Sequence, residues 1–366
     1  MQKKKIKVLE ICARLNIGGA QKVAANIGRY APKDIQVWYL VFGSDVGEYE
    51  APLIEMGHHI VHMPLQNNLA FFRSLCKFIR QESFDIVHCH TMYSCGIFML
   101  AARLCGVRRR ICHSHTINDE SPRTVRRFLY KRVMRSMIHL FASDYLACGK
   151  EAGYELYGER FFRKHGRIVK NGIETQKYAF DETARREIRA GYGLSDAVVI
   201  GHVGHYVTVK NQSFLIELLP ELLRQRPDCV LLLFGDGEDR QKLQTQIDGL
   251  QLQASARLMG NVNNIDRVLS AFDVFVFPSL YEGTPLALIE AQTNGLPCII
   301  SDQIPDDACL TDLIQRRSLS DPPAWVRSIL SAARPRNCEE YRRRIEQAYG
   351  SIEASMQTLY QLFIKA

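Results

Sequence analysis

The sequence predicts an α/β protein built from two doubly wound parallel-sheet domains. Short apolar β-forming runs alternate with helix-period stretches along nearly all of the 366 residues, the pattern of parallel strands covered by helices. The runs are continuous rather than alternating, as strands buried on both faces require. A polar segment, Thr175–Gly193, separates two such sets, and the length suffices for two full cores.

In the first set, strands are expected over Ile6–Cys12, Gln36–Phe42, Asp85–Cys89, Arg110–His113, Tyr145–Cys148 and Arg167–Lys170. Helices are expected over Ala20–Tyr30, Ala70–Gln81 and Gly96–Cys105. Arg123–Arg135 also reads as a helix, with Val125, Phe128, Leu129 and Val133 at helical spacing among basic residues. Such apolar positions ordinarily pack into their own domain; a membrane-surface role is the other reading. In the second set, strands are expected over Ala197–Val203, Val230–Phe234, Asp273–Phe277 and Cys298–Ser301, with a helix over Gln212–Arg226. Tyr341–Phe363 reads as helix with no strand after it.

Composition excludes several classes. With 46% hydrophobic and 23% charged residues the chain is an ordinary globular protein. No apolar run of about 18 residues occurs, so no spanning helix is expected. The basic start leads into Ile6–Cys12, which Lys7 and Glu10 interrupt and which is too short for a signal peptide's apolar region. A cytoplasmic location is therefore expected. The 11 cysteines are scattered without a Cys-x-x-Cys pair, as buried thiols in a reducing compartment would be. The net charge of +8 is uneven: Arg103 to Arg135 holds ten arginines and lysines against Asp119 and Glu120. No nucleic-acid motif or interleaved aromatic platform accompanies it. An anionic membrane surface or a pyrophosphate-linked acceptor is the better partner.

The segment Pro278-Ser-Leu-Tyr-Glu282-Gly-Thr-Pro-Leu-Ala-Leu-Ile-Glu290, running on to Gly295 and Pro297, is the most informative stretch. It follows the apolar run Asp273–Phe277 and reads as a loop carrying Glu282, then a helix carrying Glu290. Thr284 suits the N-cap, Pro285 the first helical turn and Gly295 the C-terminal cap. Glu290 lies four residues after Leu286, on the face of the first-turn amides. Free amides at a helix start favour phosphate, and a nearby carboxylate can hold sugar hydroxyls. The arrangement suits a nucleotide-sugar.

This segment resembles the Glu-x7-Glu signature of the retaining glycosyltransferases of family 4, and the resemblance covers almost the whole chain. Gly18-Gly19-Ala-Gln is similar to that family's Gly-Gly-Ala-Glu loop. Asp85-Ile-Val-His88-Cys-His90 and Ile111-Cys-His113-Ser-His115-Thr116 resemble its two histidine-bearing strand ends, and Lys170-Asn171-Gly172-Ile173 its interdomain turn. Gly201-His-Val-Gly204-His205 through Lys210-Asn211, and Leu232-Leu-Phe-Gly235-Asp-Gly237, resemble its second-domain phosphate loop and next strand.

The resemblance implies a GT-B fold of two Rossmann-like domains facing a central cleft. An acceptor-side domain would span 1–174, a nucleotide-sugar domain 175–345, and a crossover helix, 346–366, would pack back on the first domain. It implies a hexosyltransferase moving a sugar with retention from a nucleotide-sugar, a UDP-hexose or UDP-N-acetylhexosamine, by front-face displacement. The acceptor would be a saccharide or a polyprenyl-pyrophosphate-linked sugar in surface polysaccharide biosynthesis. The protein would sit in the cytoplasm or peripherally on the inner face of the membrane, with no nucleic acid, cofactor or metal.

Residue by residue, the resemblance gives Lys210 to the leaving diphosphate, Glu282 to the donor sugar and Glu290 to the ribose hydroxyls. Gly283 would let backbone approach the ligand, the amides of Thr284 and Leu286 would face the diphosphate, and Gly18 and Gly19 would flank it. His115 is expected near the donor sugar and reacting centre, and His90 on the acceptor side; His88 and His113 are expected to be structural. Five residues, His88, Cys89, His90, His113 and His115, are of metal-ligating type, yet none has the tight local spacing of a structural zinc site. His205 departs from the family, which carries arginine there; a phosphate contact and a packing role both stay open. Two rivals are a nucleotide-sugar isomerase of the 2-epimerase kind and a catalytically silent binding subunit. The Gly18-Gly19 loop is not Gly-x-Gly-x-x-Gly, which disfavours hydride transfer.

Overall fold

A computed structural model describes residues 5–16, 19–43, 45–65, 68–115, 124–194, 196–282, 285–332, 336 and 338–364. The chain divides into two compact units, residues 1–172 with 352–366, and residues 173–351. The first unit holds a seven-stranded parallel sheet in the order β3-β2-β1-β4-β5-β6-β7. Its strands are β1 Ile6–Ile11, β2 Ile35–Val41, β3 His59–His62, β4 Ile86–Cys89, β5 Arg109–Ser114, β6 Asp144–Ala147 and β7 Gly166–Ile168. Successive strand residues serve opposite faces: Leu9, Val87 and Cys112 enter one core, and Val8, Ile86 and Ile111 the other. That two-sided burial is why these strands read as unbroken apolar runs.

The second unit holds six parallel strands in the order β10-β9-β8-β11-β12-β13. They are β8 Val198–Val203, β9 Cys229–Phe234, β10 Ala256–Gly260, β11 Val274–Phe277, β12 Cys298–Ser301 and β13 Ile314–Arg317. Strand order reverses between β1 and β4 in one sheet and between β8 and β11 in the other. In open α/β sheets, ligands bind beyond the carboxyl ends of the strands at such reversals.

Several expectations need correction. Strands β3, β10 and β13 are absent from the sequence reading; each lies on a sheet edge and is mostly half-exposed. The expected helix over Tyr341–Phe363 is two helices, Cys338–Tyr349 and Ile352–Ile364, parted at Gly350, whose φ of 93° no helix accommodates. The last helix joins the first unit's core through buried Ile352, Met356, Leu359 and Phe363, and the Tyr360 hydroxyl donates to the Ile27 carbonyl. The polar segment Thr175–Gly193, read as the boundary between the two sets, lies within the second unit, which begins at Ile173. Its buried Arg189 bonds to Asp273 at 3.1 Å and to the Ala271 carbonyl at 3.0 Å, and Thr175 donates to Glu346. Arg185 and Arg189 are thus used inside the domain, while Lys177, Asp181, Glu182, Arg186 and Glu187 are exposed.

The basic helix runs over Val125–Phe141 with Thr124 as its N-cap. Its inner face buries Met134 and Ile138. Val125, Phe128, Leu129 and Val133, which the sequence left open between the domain's own core and a membrane surface, are 86%, 65%, 59% and 46% exposed. All 11 cysteines are free thiols, most of them buried. No described helix is long and apolar enough to cross a membrane.

Candidate functional site

In the second unit, the loops after β8 and β11 meet at the reversal of strand order. Loop one closes in a short turn, Thr208–Lys210, followed by Asn211 at a left-handed φ of 55°. The Asn211 amide reaches the Pro278 carbonyl at 3.3 Å, and the Leu280 N–H donates to the Val209 carbonyl at 2.9 Å. These ties bring the Lys210 ammonium to the Glu282 carboxylate, 2.6 Å apart. Two residues chosen 72 positions apart in sequence thus form one couple. Lys210 also lies 5.4 Å over the Phe277 ring.

The loop after β9 is zipped to the same place. The Gly204 N–H donates to the Phe234 carbonyl at 2.9 Å and the Tyr206 N–H to the Asp236 carbonyl at 3.0 Å. Gly235 sits at a φ of 139°, and a Cβ there would lie 2.0 Å from the Gly204 oxygen. The Gly-Asp-Gly motif therefore serves close approach of two backbones as well as the exit from a strand.

Glu290 is buried one turn into the helix Leu286–Thr293. The N-terminus differs from expectation: Pro285 is the N-cap, with no side-chain cap, and the helix begins at Leu286. The Leu288 and Ile289 N–H groups bond back to the Pro285 carbonyl, so Leu286 and Ala287 have amides with no intrahelical acceptor. Gly295 follows the helix at a φ of 75°, the expected C-terminal glycine. Gly18, Gly283 and Thr284 lie outside the described residues. Gly19 opens the helix Gly19–Arg29.

His205 is exposed, and its Nδ1 lies 2.8 Å from the Asp236 carbonyl, which can only accept. Gln212, unmarked in the sequence reading, holds this loop: its Nε2 donates to the His205 carbonyl at 2.7 Å and lies 3.3 Å from His202 Nε2. His202 is wholly buried, and burial pushes its pKa down to about 4. A glutamine after a phosphate-type loop carries no distinctive signal in sequence.

In the first unit, the ends of β1, β4 and β5 bring together one carboxylate and four imidazoles. Glu10, fully buried on β1, lies 2.7 Å from His90 Nε2 and 3.0 Å from His88 Nδ1. His90 Nδ1 is 2.7 Å from His115 Nε2, and His88 Nε2 is 3.2 Å from His113 Nδ1. Burial pushes Glu10 up, but the adjacent His88 and His90 outweigh it and hold the carboxyl below its usual range. Burial pushes His90, His113 and His115 down, and the neighbouring rings add to it. His88 and His113 are buried, and they belong to the same network as His90 and His115. Their ring nitrogens come together from two strands, where sequence spacing could not show it: His88, His90 and His113 offer atoms within 4.8 Å of one another. Of the nitrogens in the network, only His113 Nε2 and His115 Nδ1 are buried without a partner among the described residues. Glu10 was legible as an anomaly, a carboxylate inside an apolar strand, which demands a partner.

Two Rossmann-like parallel-sheet domains place the protein in the GT-B class. The solved structure of Anabaena Alr3699/HepE in complex with UDP-glucose superposes with a TM-score of 0.82, at 16% identity, over 99% of this chain and 100% of that one. Residues 184–348 match the glycosyl transferases group 1, and residues 17–177 match glycosyltransferase family 4. The chain is 35% identical to the putative glycosyltransferase EpsF of Bacillus subtilis, over 89% of this chain and 88% of that protein. It is 32% identical over 63% of its length to an Escherichia coli UDP-Gal:alpha-D-GlcNAc-diphosphoundecaprenol alpha-1,3-galactosyltransferase, of which it covers 60%. The chain belongs to the family 4 glycosyltransferases, and it is a transferase.

Proposed function

We propose that the protein moves a hexose or N-acetylhexosamine from a UDP-sugar, with retention, onto a polyprenyl-diphosphate-linked saccharide during surface polysaccharide assembly. The observation that carries this reading is the Lys210–Glu282 couple beside the N-terminus of the Leu286–Thr293 helix. A cation and unsatisfied amides suit a leaving diphosphate, and the carboxylates of Glu282 and Glu290 suit the hydroxyls of sugar and ribose. Lys210 exchanges its partner Glu282 for phosphate when donor arrives, releasing that carboxylate to the sugar. His115 is proposed, from the resemblance, as a contact for the sugar. Displacement is front-face, with the departing phosphate accepting the acceptor's proton, and it is metal-independent.

The uridine comes from the solved Anabaena relative, named with UDP-glucose, and the lipid-linked acceptor from the Escherichia coli relative. The basic helix supports a membrane-borne acceptor, because its outward face joins four exposed apolar side chains to Arg126 and Arg132.

The test is donor binding and transfer with Lys210→Ala and Glu290→Ala. Each removes charge-assisted hydrogen bonds of about 1.5–3 kcal/mol, so affinity should drop by roughly one to two powers of ten. UDP-sugars should raise the melting temperature of the wild type, while GDP- and ADP-sugars should not. Transfer should require an acceptor and persist in excess EDTA. Wild-type donor affinity in both variants would overturn the site, conversion of donor without acceptor would reveal an isomerase, and loss of transfer in EDTA restored by manganese would overturn the metal-free mechanism.

A further inference from the structure

The histidine network in the first unit has a direction that its chemistry fixes. An ionised carboxylate only accepts hydrogen bonds. Glu10 therefore requires His90 to donate from Nε2, at 2.7 Å. A neutral His90 then has only a lone pair at Nδ1, so His115 must donate from Nε2 across their 2.7 Å contact. His115 Nδ1 is left bare, and it is a buried acceptor with no partner among the described residues. A buried acceptor left unmet costs free energy, so this atom calls for a donor from outside the described residues. His88 and His113 form a second arm from the same carboxylate, ending in the bare His113 Nε2.

We propose that Glu10 is a positioning residue: through His90 it locks His115 in the Nε2–H tautomer, presenting Nδ1 as the acceptor for a hydroxyl of the transferred sugar. The role of the sugar rests on the donor reading above; the lock itself does not. The lock is worth having because imidazole in the other tautomer would place a donor at Nδ1, and a hydroxyl could then be met only through its oxygen lone pairs. With Glu10 fixed, the site discriminates by the direction of the hydrogen bond. The burial that lowers the proton affinity of His90 and His115 keeps both rings neutral, which the chain of donors needs.

The experiment is long-range proton–nitrogen NMR of the full chain, with histidine-selective nitrogen labelling and signals assigned by single substitutions. At neutral pH without donor, His90 and His115 should both show the Nε2–H pattern. Glu10→Gln offers an amide donor where the carboxylate accepted, and should move at least one arm to the opposite tautomer. His90→Phe cuts only one arm: His115 should lose its single tautomer while His88 and His113 keep theirs, which also reports an intact fold. Variants in which the His115 tautomer changes should show kcat/KM for the donor lowered about tenfold, the loss of one hydrogen bond. Glu10→Asp, which keeps the carboxylate, should restore part of both signals.

A wild-type His115 protonated at Nδ1, or a doubly protonated His90, would overturn the lock, and this needs no variant to fold. So would unchanged His115 spectra in both Glu10→Gln and His90→Phe, nitrogen shifts typical of a ring bound to metal in the purified protein, or unchanged kcat/KM once the tautomer has changed. Failure of the donor site is read separately, from Lys210→Ala, whose histidine spectra should match the wild type.

Discussion

His205 uses Nδ1 to donate to the Asp236 carbonyl at 2.8 Å. Any contact to a diphosphate must then come from Nε2, which carries a proton only in the imidazolium form. This narrows what the histidine can do where the family carries arginine. His205→Arg should hold or improve donor affinity, since guanidinium stays charged and forks onto phosphate oxygens, whereas His205→Ala should weaken it. Donor dissociation constants for the three proteins check this, and equal values for wild type and His205→Ala would assign the ring to packing. Lys210, Glu282 and Glu290 were marked in the sequence by the family motifs they resemble, at a strand end and a helix start, and the structure brings Lys210 to Glu282. Glu10 was visible only as a charge in an apolar run, since the partners that explain it, His88 and His90 at the end of β4, lie 78 and 80 residues away.

Among the strands, legibility followed burial except at β7, an exposed edge strand that the run Arg167–Lys170 nonetheless marks. Central strands such as β1, β4, β8 and β11 are covered on both faces and announce themselves as apolar runs. The edge strands β3, β10 and β13 have one paired side and mixed composition, two of four residues being polar in His59–His62 and three of four in Ile314–Arg317, so no period marks them. The Val125–Phe141 helix was legible as a helix but left open as to which face is buried. Its spacing was read correctly, but spacing alone cannot say which apolar stripe faces inward when a helix has two. The inner stripe, Met134 and Ile138, fills the core, and the outer one faces water. If that outer stripe meets the bilayer, Phe128→Ser with Leu129→Ser should weaken binding to anionic vesicles at least tenfold. Burying such a side chain is worth about 1.5–3 kcal/mol. Folded stability should hardly change, because both are exposed in the protein. Neutral substitutions at Arg126 and Arg132 should weaken binding too, by an amount that shrinks as salt is raised. Vesicle co-sedimentation that is indifferent to both pairs would make the stripe a surface without that role.

At the scale of the whole molecule, the chain leaves the first unit after residue 172 and re-enters it at 352. Ending the chain at Ser351 would remove four fully buried side chains, those of Ile352, Met356, Leu359 and Phe363. At about 1.5–3 kcal/mol each, their loss rivals the entire stability of an ordinary domain, about 5–15 kcal/mol. Such a truncation should abolish the first unit's melting transition and leave that of residues 173–351 in place, as calorimetry beside hydrogen exchange can show. Equal loss of both units would mean that they unfold as one. The same feature sets a timetable on the ribosome. Residues 173–351 can finish folding as soon as they emerge, whereas the amino-terminal sheet, although made first, lacks part of its core until the final helix is released. Of the two units, the one whose synthesis begins earlier is therefore the one completed later, and in that interval its uncovered apolar face is what a chaperone would meet.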